Sequence, residues 1–285
     1  MAILNVMKTF LFTATMCLPF LCSSQYWYND IWNNAQTASL IAAYTQAGVT
    51  SMRVVAYDAN NAPTNDVAVQ QVFKSAARSM TTQTASAAGS TSWLTVRWNA
   101  QGQVEQAIDS TANSRNITHY KYDVDGRLTQ LLITSTDSAG ANTQTDEHHW
   151  QYQNGFHLRM LRIKNNSDTT VVQLKTDDKG RVVEEWVQAE DRSAEPVYYY
   201  YDAQGHLTDV VQYNRRARRL LPQTMYEWGA GTQPLQRISV TPNGAGYFIW
   251  RYQYDQNGLK LREAIYDKRK QLTGKVEYHY SYGNK

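Results

Sequence analysis

The spacing of apolar residues changes character along this chain. Over 34–47, Leu40, Ile41 and Tyr44 share one face of a 3.6-residue period, and Gly48 follows as a stop, which predicts a helix. Residues 52–57 read as a strand. Over 65–80, Val69, Val72, Phe73, Ala76, Ala77 and Met80 fall on a helical stripe with Asn65 as its cap, so a helix is the favoured expectation and a strand the alternative. Residues 81–92, rich in Thr, Ala and Ser, read as a loop or linker. From residue 91 onward the pattern is strand, turn, strand. Aromatic segments at 93–98, 119–122, 150–152, 197–201, 226–228 and 250–254 each run into a turn, and a Leu- or Val-led segment runs out of it.

A motif punctuates this pattern. It stands clearest as Tyr122-Asp123-Val124-Asp125-Gly126-Arg127-Leu128 and Tyr201-Asp202-Ala203-Gln204-Gly205-His206-Leu207. Variants run from Trp98 to Val104 and from Thr176 to Val182, and looser copies pass through Gly155 and Gly258. The glycines at 102, 126, 155, 180 and 205 are separated by 24, 29, 25 and 25 residues. A fixed period marks stacked copies of one small unit. An Asp at the turn start accepts hydrogen bonds from backbone N–H groups further on, and Gly supplies positive φ without a Cβ clash. Two strands and two turns fill each period, so the expected fold is all-β: an antiparallel meander of about 12–14 strands in a twisted or curled sheet, with a small, partly helical N-terminal region.

The segment 1–24 reads as an export signal, with Lys8 before an apolar run over 9–21 and small residues at Cys22-Ser23-Ser24. The domain reading is therefore 1–24 signal peptide, 25–92 partly helical region and linker, and 93–285 β-repeat domain. Both cysteines, Cys17 and Cys22, fall in the signal, which leaves the mature chain without a disulfide, thiol nucleophile or thiolate metal site. Export places the protein in the periplasm or at the cell surface of a bacterium, with a lipid-anchored form through Cys22 as a lesser reading. Removing Lys8 leaves 27 basic residues from 28, against 25 acidic ones, too balanced for a general nucleic-acid binder. No later segment has the length of apolar residues that a membrane helix needs.

The motif residues 122–128 and 201–207, supported by 98–104, 176–182 and 254–261, resemble the YD repeats of Rhs-type bacterial surface and toxin-associated proteins. The resemblance covers about residues 93–282 and implies a β-repeat scaffold. In that family, repeats form strand spirals or shells around a cargo. The copies here are too few for a closed shell, and no toxin-like segment follows them.

Candidate chemistry is sparse. His148 and His149 are adjacent on a strand and so point to opposite faces, which separates them as metal ligands. Glu184-Glu185 and Glu190-Asp191 offer carboxylates, and these read better as a solvated face than as an acid/base pair. The repeat aspartates Asp123, Asp177, Asp202 and Asp255 are turn formers with too few oxygens for calcium. Arg215, Arg216, Arg218 and Arg219 form the sharpest charge run, either a phosphate- or acidic-glycan-binding tip or a solubilising one. Tyr198, Tyr200, Trp250, Tyr252 and Tyr254 form aromatic rows that serve equally as a contact face or as core. No cofactor is implied. The expected role is noncatalytic binding or scaffolding at the envelope, with protein or glycan partners. The alternative is a carrier holding an apolar ligand in a concavity lined by Leu128, Leu158, Met160 and Leu207.

Overall fold

The computed structural model describes residues 26–188, 195–215, 217–241 and 246–283. The signal segment, Arg216 and the Glu190-Asp191 pair lie outside these residues. One helix, α1 (Asn29–Ala47), precedes the strands β1 (Val49–Asp58), β2 (Pro63–Lys74), β3 (Ser79–Ser86), β4 (Thr91–Trp98), β5 (Val104–Ser110) and β6 (Ser114–Tyr122). There follow β7 (Leu128–Asp137), β8 (Thr143–Gln153), β9 (Phe156–Lys164), β10 (Asp168–Thr176), β11 (Val182–Gln188) and β12 (Val197–Tyr201). The last six are β13 (Leu207–Asn214), β14 (Arg219–Trp228), β15 (Pro234–Val240), β16 (Tyr247–Tyr254), β17 (Lys260–Tyr266) and β18 (Leu272–Tyr282).

Each strand pairs antiparallel with its sequence neighbours, and β1 also pairs with β18, from Val49 opposite Tyr282 to Asp58 opposite Gly274. The sheet is thus a closed 18-stranded barrel, where the sequence predicted a twisted or curled sheet of about 12–14 strands. Closure has a plain cause: an open sheet of this length would leave two long rows of backbone donors and acceptors unpaired.

The missing strands come from the region read as helix and linker. Residues 65–80 are not helical. Val67, Val69, Gln71 and Phe73 turn inward in β2, and Ala68, Gln70, Val72 and Lys74 turn outward, a clean period of two. Val72, a member of the supposed helical stripe, is 47% exposed on the outer wall. Residues 81–92 contribute to β3 and β4, so the boundary placed at 92 falls inside a strand and 49–92 belongs to the same barrel as the rest. The first helix forms as predicted and starts earlier, at Asn29. It ends at Gly48, whose φ of 72° lets its N–H reach back to Thr45 O.

The helix is a plug. Its N-terminal end touches β9 and β12, through Tyr28 against His157 and Tyr199 at centroid distances of 5.6 and 5.4 Å. Its C-terminal end touches β2 and β18, through Tyr44 against Phe73 and Tyr280 at 5.4 and 5.8 Å. Trp32 meets Tyr226 and Trp228 on β14, and Asn34 accepts from Tyr122 on β6. Strands on opposite sides of the ring can share one helix only if it crosses the lumen. The dimensions agree. Eighteen strands at about 4.8 Å give a perimeter of roughly 86 Å and a width near 27 Å before tilt. Nineteen helical residues span about 28 Å. All these wall contacts lie near the rim that carries the glycine turns, so α1 closes that mouth.

The excess of Tyr and Trp now has a use. Long rigid side chains reach from the wall to the plug, and Trp98, Trp150 and Tyr199 are buried at 6%, 3% and 4% exposure.

Candidate functional site: the latched plug and the wall around it

The repeat motif builds the rim. In the turn after β6, Asp123 Oδ1 accepts from the N–H groups of Asp125 and Arg127 at 3.0 and 2.9 Å, and Gly126 has φ 79°. Asp177 and Asp255 make the same bonds in their own turns, so their carboxylates are spent on backbone amides. The tyrosine that precedes the Asp has a separate task. It donates its hydroxyl across the rim to the first carbonyl of the strand leaving the previous glycine turn. Tyr122 reaches Val104 O at 2.8 Å, Tyr152 reaches Leu128 O at 2.7 Å and Tyr201 reaches Val182 O at 2.8 Å. Trp228 Nε1 does the same to Leu207 O at 2.8 Å, and Tyr254 to Pro234 O at 3.0 Å. At three of the turns the residue after the glycine then covers the next aromatic ring. Arg127 lies over Tyr152 at 5.1 Å, Arg181 over Tyr201 at 4.8 Å, and His206 stacks on Trp228 at 4.6 Å. The motif is therefore a hoop of turn, carboxylate, cation and ring.

Within that hoop the plug is held by two buried polar devices. The N-cap residue Tyr28 makes no side-chain capping bond. Glu185 on β11 supplies the cap from the wall: Oε1 accepts Trp27 N–H at 3.0 Å and Oε2 accepts Tyr28 N–H at 2.9 Å. Glu185 is 2% exposed. Burial pushes its pKa up to about 7, against the opposing pull of those two amides and of the Tyr199 hydroxyl. The second device is a charge relay across β8 and β9. Asp30 in the first helical turn meets His148 Nδ1 at 2.6 Å, and His148 Nε2 lies 3.4 Å from Asp146 Oδ1. Arg162 Nε lies 2.8 Å from Asp146 Oδ1, and its guanidinium sits over Trp27 at 4.9 Å. Burial alone would lower the His148 pKa, but the carboxylates of Asp30 and Asp146 outweigh it and raise the value to about 9. The imidazolium is thus the charge that joins plug to wall. His157, beside Tyr28, goes the other way: burial and the nearby Arg127 lower it to about 4.

Several sequence readings change at this point. His148 and His149 do point apart, His148 into the plug relay and His149 outward to Glu147 at 3.0 Å. Glu184 and Glu185 also lie on opposite faces, which rules out a carboxylate pair between them. Trp250, Tyr252 and Tyr254 are no outer contact face. They point inward, Trp250 beneath Arg237 at 4.9 Å and Tyr252 beneath Lys260 at 4.6 Å, while Tyr254 is tied into the rim. Tyr198 and Tyr200 do face outward, with Tyr200 at 49% exposure. Arg215, Arg218 and Arg219 are exposed at the opposite rim, around a turn in which Arg218 has φ 52°. The cavity lining proposed for an apolar ligand is split. Leu158 is exposed at 38%, while Leu128, Met160 and Leu207 are buried in a cluster against Trp27, Tyr28, Ile31 and Trp32 of the chain itself. Sequence reasoning missed Glu185 as a cap, Asp30 and Arg162. The run Tyr26-Trp27-Tyr28 ahead of the helix was the available signal that this end enters an aromatic interior.

The outer wall carries charged and amide side chains on many strands. Arg53, Lys74, Arg97, Lys121, Glu147 and Arg159 all take the outward register, and glutamines such as Gln70, Gln83 and Gln106 fill positions between. Apolar and aromatic side chains share the outward register from β9 to β16, among them Leu161, Ile163, Trp186, Val211, Met225, Ile238 and Ile249. Among the described residues no helix is long and apolar enough to cross a membrane.

No protein-family model and no curated protein matches this chain. The solved structures that align with it include three of low identity. A porin-like protein from Bacteroides uniformis ATCC 8492 is 12% identical, with 82% of this chain and 98% of that chain covered and a TM-score of 0.38. TcdB2-TccC3 without its hypervariable C-terminal region is 14% identical over 76% of this chain and 12% of that one, at a TM-score of 0.34. A porin-like protein from Bacteroides vulgatus ATCC 8482 is 12% identical over 83% of this chain and 99% of that one, at 0.26.

Proposed function

We propose that this chain is an exported bacterial envelope protein with a noncatalytic role, a plugged β-barrel standing in water and binding protein or glycan partners through its outer surface. The observation that carries this reading is the placement of charged side chains at mid-strand on the outer wall. A barrel that spans a bilayer has an apolar outer band and a polar interior. Here charged side chains such as Arg53 and Arg251 lie along the middle of their strands on the outer face. Each such charge would cost about 2–4 kcal/mol at a bilayer midplane. Export is supported by the residue pattern of 1–24. A noncatalytic role is supported by where the buried ionisable groups are spent: Glu185, His148, Asp146 and Arg162 hold the plug and one another. The carrier reading loses support, because the chain's own helix fills the space its ligand would take.

Fractionation of an expressing bacterium tests the reading. The protein is expected in the periplasmic extract or released from cells without detergent, starting near Gln25. Retention in carbonate-washed membranes, with release by detergent alone, would overturn it.

A further inference from the structure

A concave stretch of the outer wall lies across β16, β17, β18 and the β1–β2 turn. It forms a groove of about 330 Å³. Arg251, Gln253, Arg262, Tyr266, Lys275 and the turn residue Asn61 line it. Two side chains of outward register are buried here, Ile249 at 5% and Lys275 at 6% exposure.

Three cations face this groove and its lining holds no carboxylate. The acid beside it, Glu277, is already engaged: it accepts from Lys275 Nζ at 2.9 Å and Tyr57 OH at 3.1 Å, and lies 3.6 Å from the Arg262 guanidinium. Its pKa is held below the usual carboxylate range, first by the Lys275 hydrogen bond. Asp58 and Asp267, in the turns at either side, are occupied by backbone amides. Arg251 donates to Gln236 Oε1 at 3.1 Å and lies over the Tyr266 ring at 5.1 Å, so its guanidinium is fixed in place. Arg262 is the telling residue. Its Nε–H is fully buried and has no acceptor. The side chain as a whole stays 40% exposed, so the terminal nitrogens of this fixed fork remain open to an oxyanion.

We propose that this groove binds a carboxylated saccharide. The acid group takes the Arg262 fork and the field of Arg251 and Lys275. The amides of Asn61 and Gln253 suit sugar hydroxyls, and the Tyr266 ring with Leu272 and Ala264 suits the apolar face of a sugar ring. A site built for bare phosphate normally presents a run of backbone N–H groups at a helix N-terminus or nest. This one presents side chains of mixed polarity on strands. The volume stands at the lower end of small-ligand clefts, about 300 Å³. The proposal rests on the noncatalytic binding reading and gives it a ligand class.

The test is titration calorimetry of the full mature protein with an oligogalacturonide, its neutral galactose counterpart, and inorganic phosphate. Expected results are binding of the acidic oligomer only, weakening with added salt, and about a tenfold loss of affinity in R262Q and again in R251Q. R97Q, on a distant part of the wall, should bind as the parent does, and far-UV circular dichroism checks that each variant is folded. Equal binding of the neutral oligomer, phosphate binding as tight as the oligomer's, or affinity unchanged in both groove variants would overturn the proposal. Failure here in a protein that still fractionates without detergent sinks the groove alone. Membrane retention sinks the underlying reading instead.

Discussion

Replacing Glu185 by Gln separates what the wall carboxylate gives the plug from what it costs. In the folded protein this group titrates near pH 7, against 4.5 for its unperturbed value. A carboxylate whose folded pKa is raised contributes its stabilisation fully below the unfolded value and loses it as pH rises through the folded one. At roughly 1.4 kcal/mol per pH unit, the barrel should lose about 3 kcal/mol from this group between pH 4.5 and 7, with little further change above. Gln keeps the shape and does not titrate. Its Oε1 can accept from only one of the two amides of Trp27 and Tyr28, and its NH2 group faces the other, at a cost of about 1–2 kcal/mol. The stability curves should therefore cross: E185Q is the weaker protein at pH 5 and equals or exceeds the parent by about 1 kcal/mol at pH 8. Urea denaturation at the two pH values, followed by tryptophan fluorescence, measures this, since Trp27 and Trp32 report on the plug. His148 titrates in both proteins and largely cancels. A parent-minus-variant difference that stays constant from pH 5 to 8 would refute the reasoning.

His148 predicts a profile of the same sign at higher pH. Its raised pKa, about 9, gives stability that is present below pH 6.5 and lost as pH rises through 9. H148Q should cost about 3 kcal/mol at pH 6 and much less at pH 10, read from denaturation midpoints. Loss of the rim bond in Y201F should cost about 1 kcal/mol, while Y200F, on the outer face one residue away, should stay within about 0.5 kcal/mol. Gly102 and Gly180 both have positive φ, but a Cβ at 180 would meet the Phe156 ring at 2.5 Å and one at 102 meets nothing. G102A should cost about 1 kcal/mol and G180A about twice that in thermal unfolding, because Phe156 must also swing aside.

The legible part of this molecule was its local chemistry. Asp123, Gly126 and their counterparts specify turns whatever surrounds them, so the strands from residue 91 onward could be placed by the motif alone. Gly48 stops a helix for equally local reasons. Closure was not local. It depends on β1 finding β18, and the turns on either side of β2 use Asn61 and Arg78 at positive φ in place of glycine, so β2 and β3 escaped the count. The segment at 65–80 failed for a specific reason: Val69 and Phe73 are both four apart and an even number apart, so they suit a helical face and a strand face alike. The site was hidden more deeply. Nothing in Glu184-Glu185 says which carboxylate turns inward. A partner 157 residues away, the Tyr28 amide, gives Glu185 its role. The aromatic rows had no sign of their own, and the register placed Trp250, Tyr252 and Tyr254 inside.

The helix that fills the mouth comes first in the chain, and the strand that seals the ring comes last. Val49 pairs with Tyr282, so the seam joins residues separated by almost the whole described sequence. Hairpins along the wall pair neighbours and carry little loop entropy, but the seam carries a large one. Until it shuts, the walls have two raw edges, and Trp27, Trp32 and Tyr44 have no complete ring to lie in. The plug then serves as a mandrel. Strands that already grip it are held at the curvature the finished ring needs, which shortens the search of β18 for β1. Assembly of this barrel is expected to be slow at its final step, and that step is where an incomplete molecule would offer its edges to another copy.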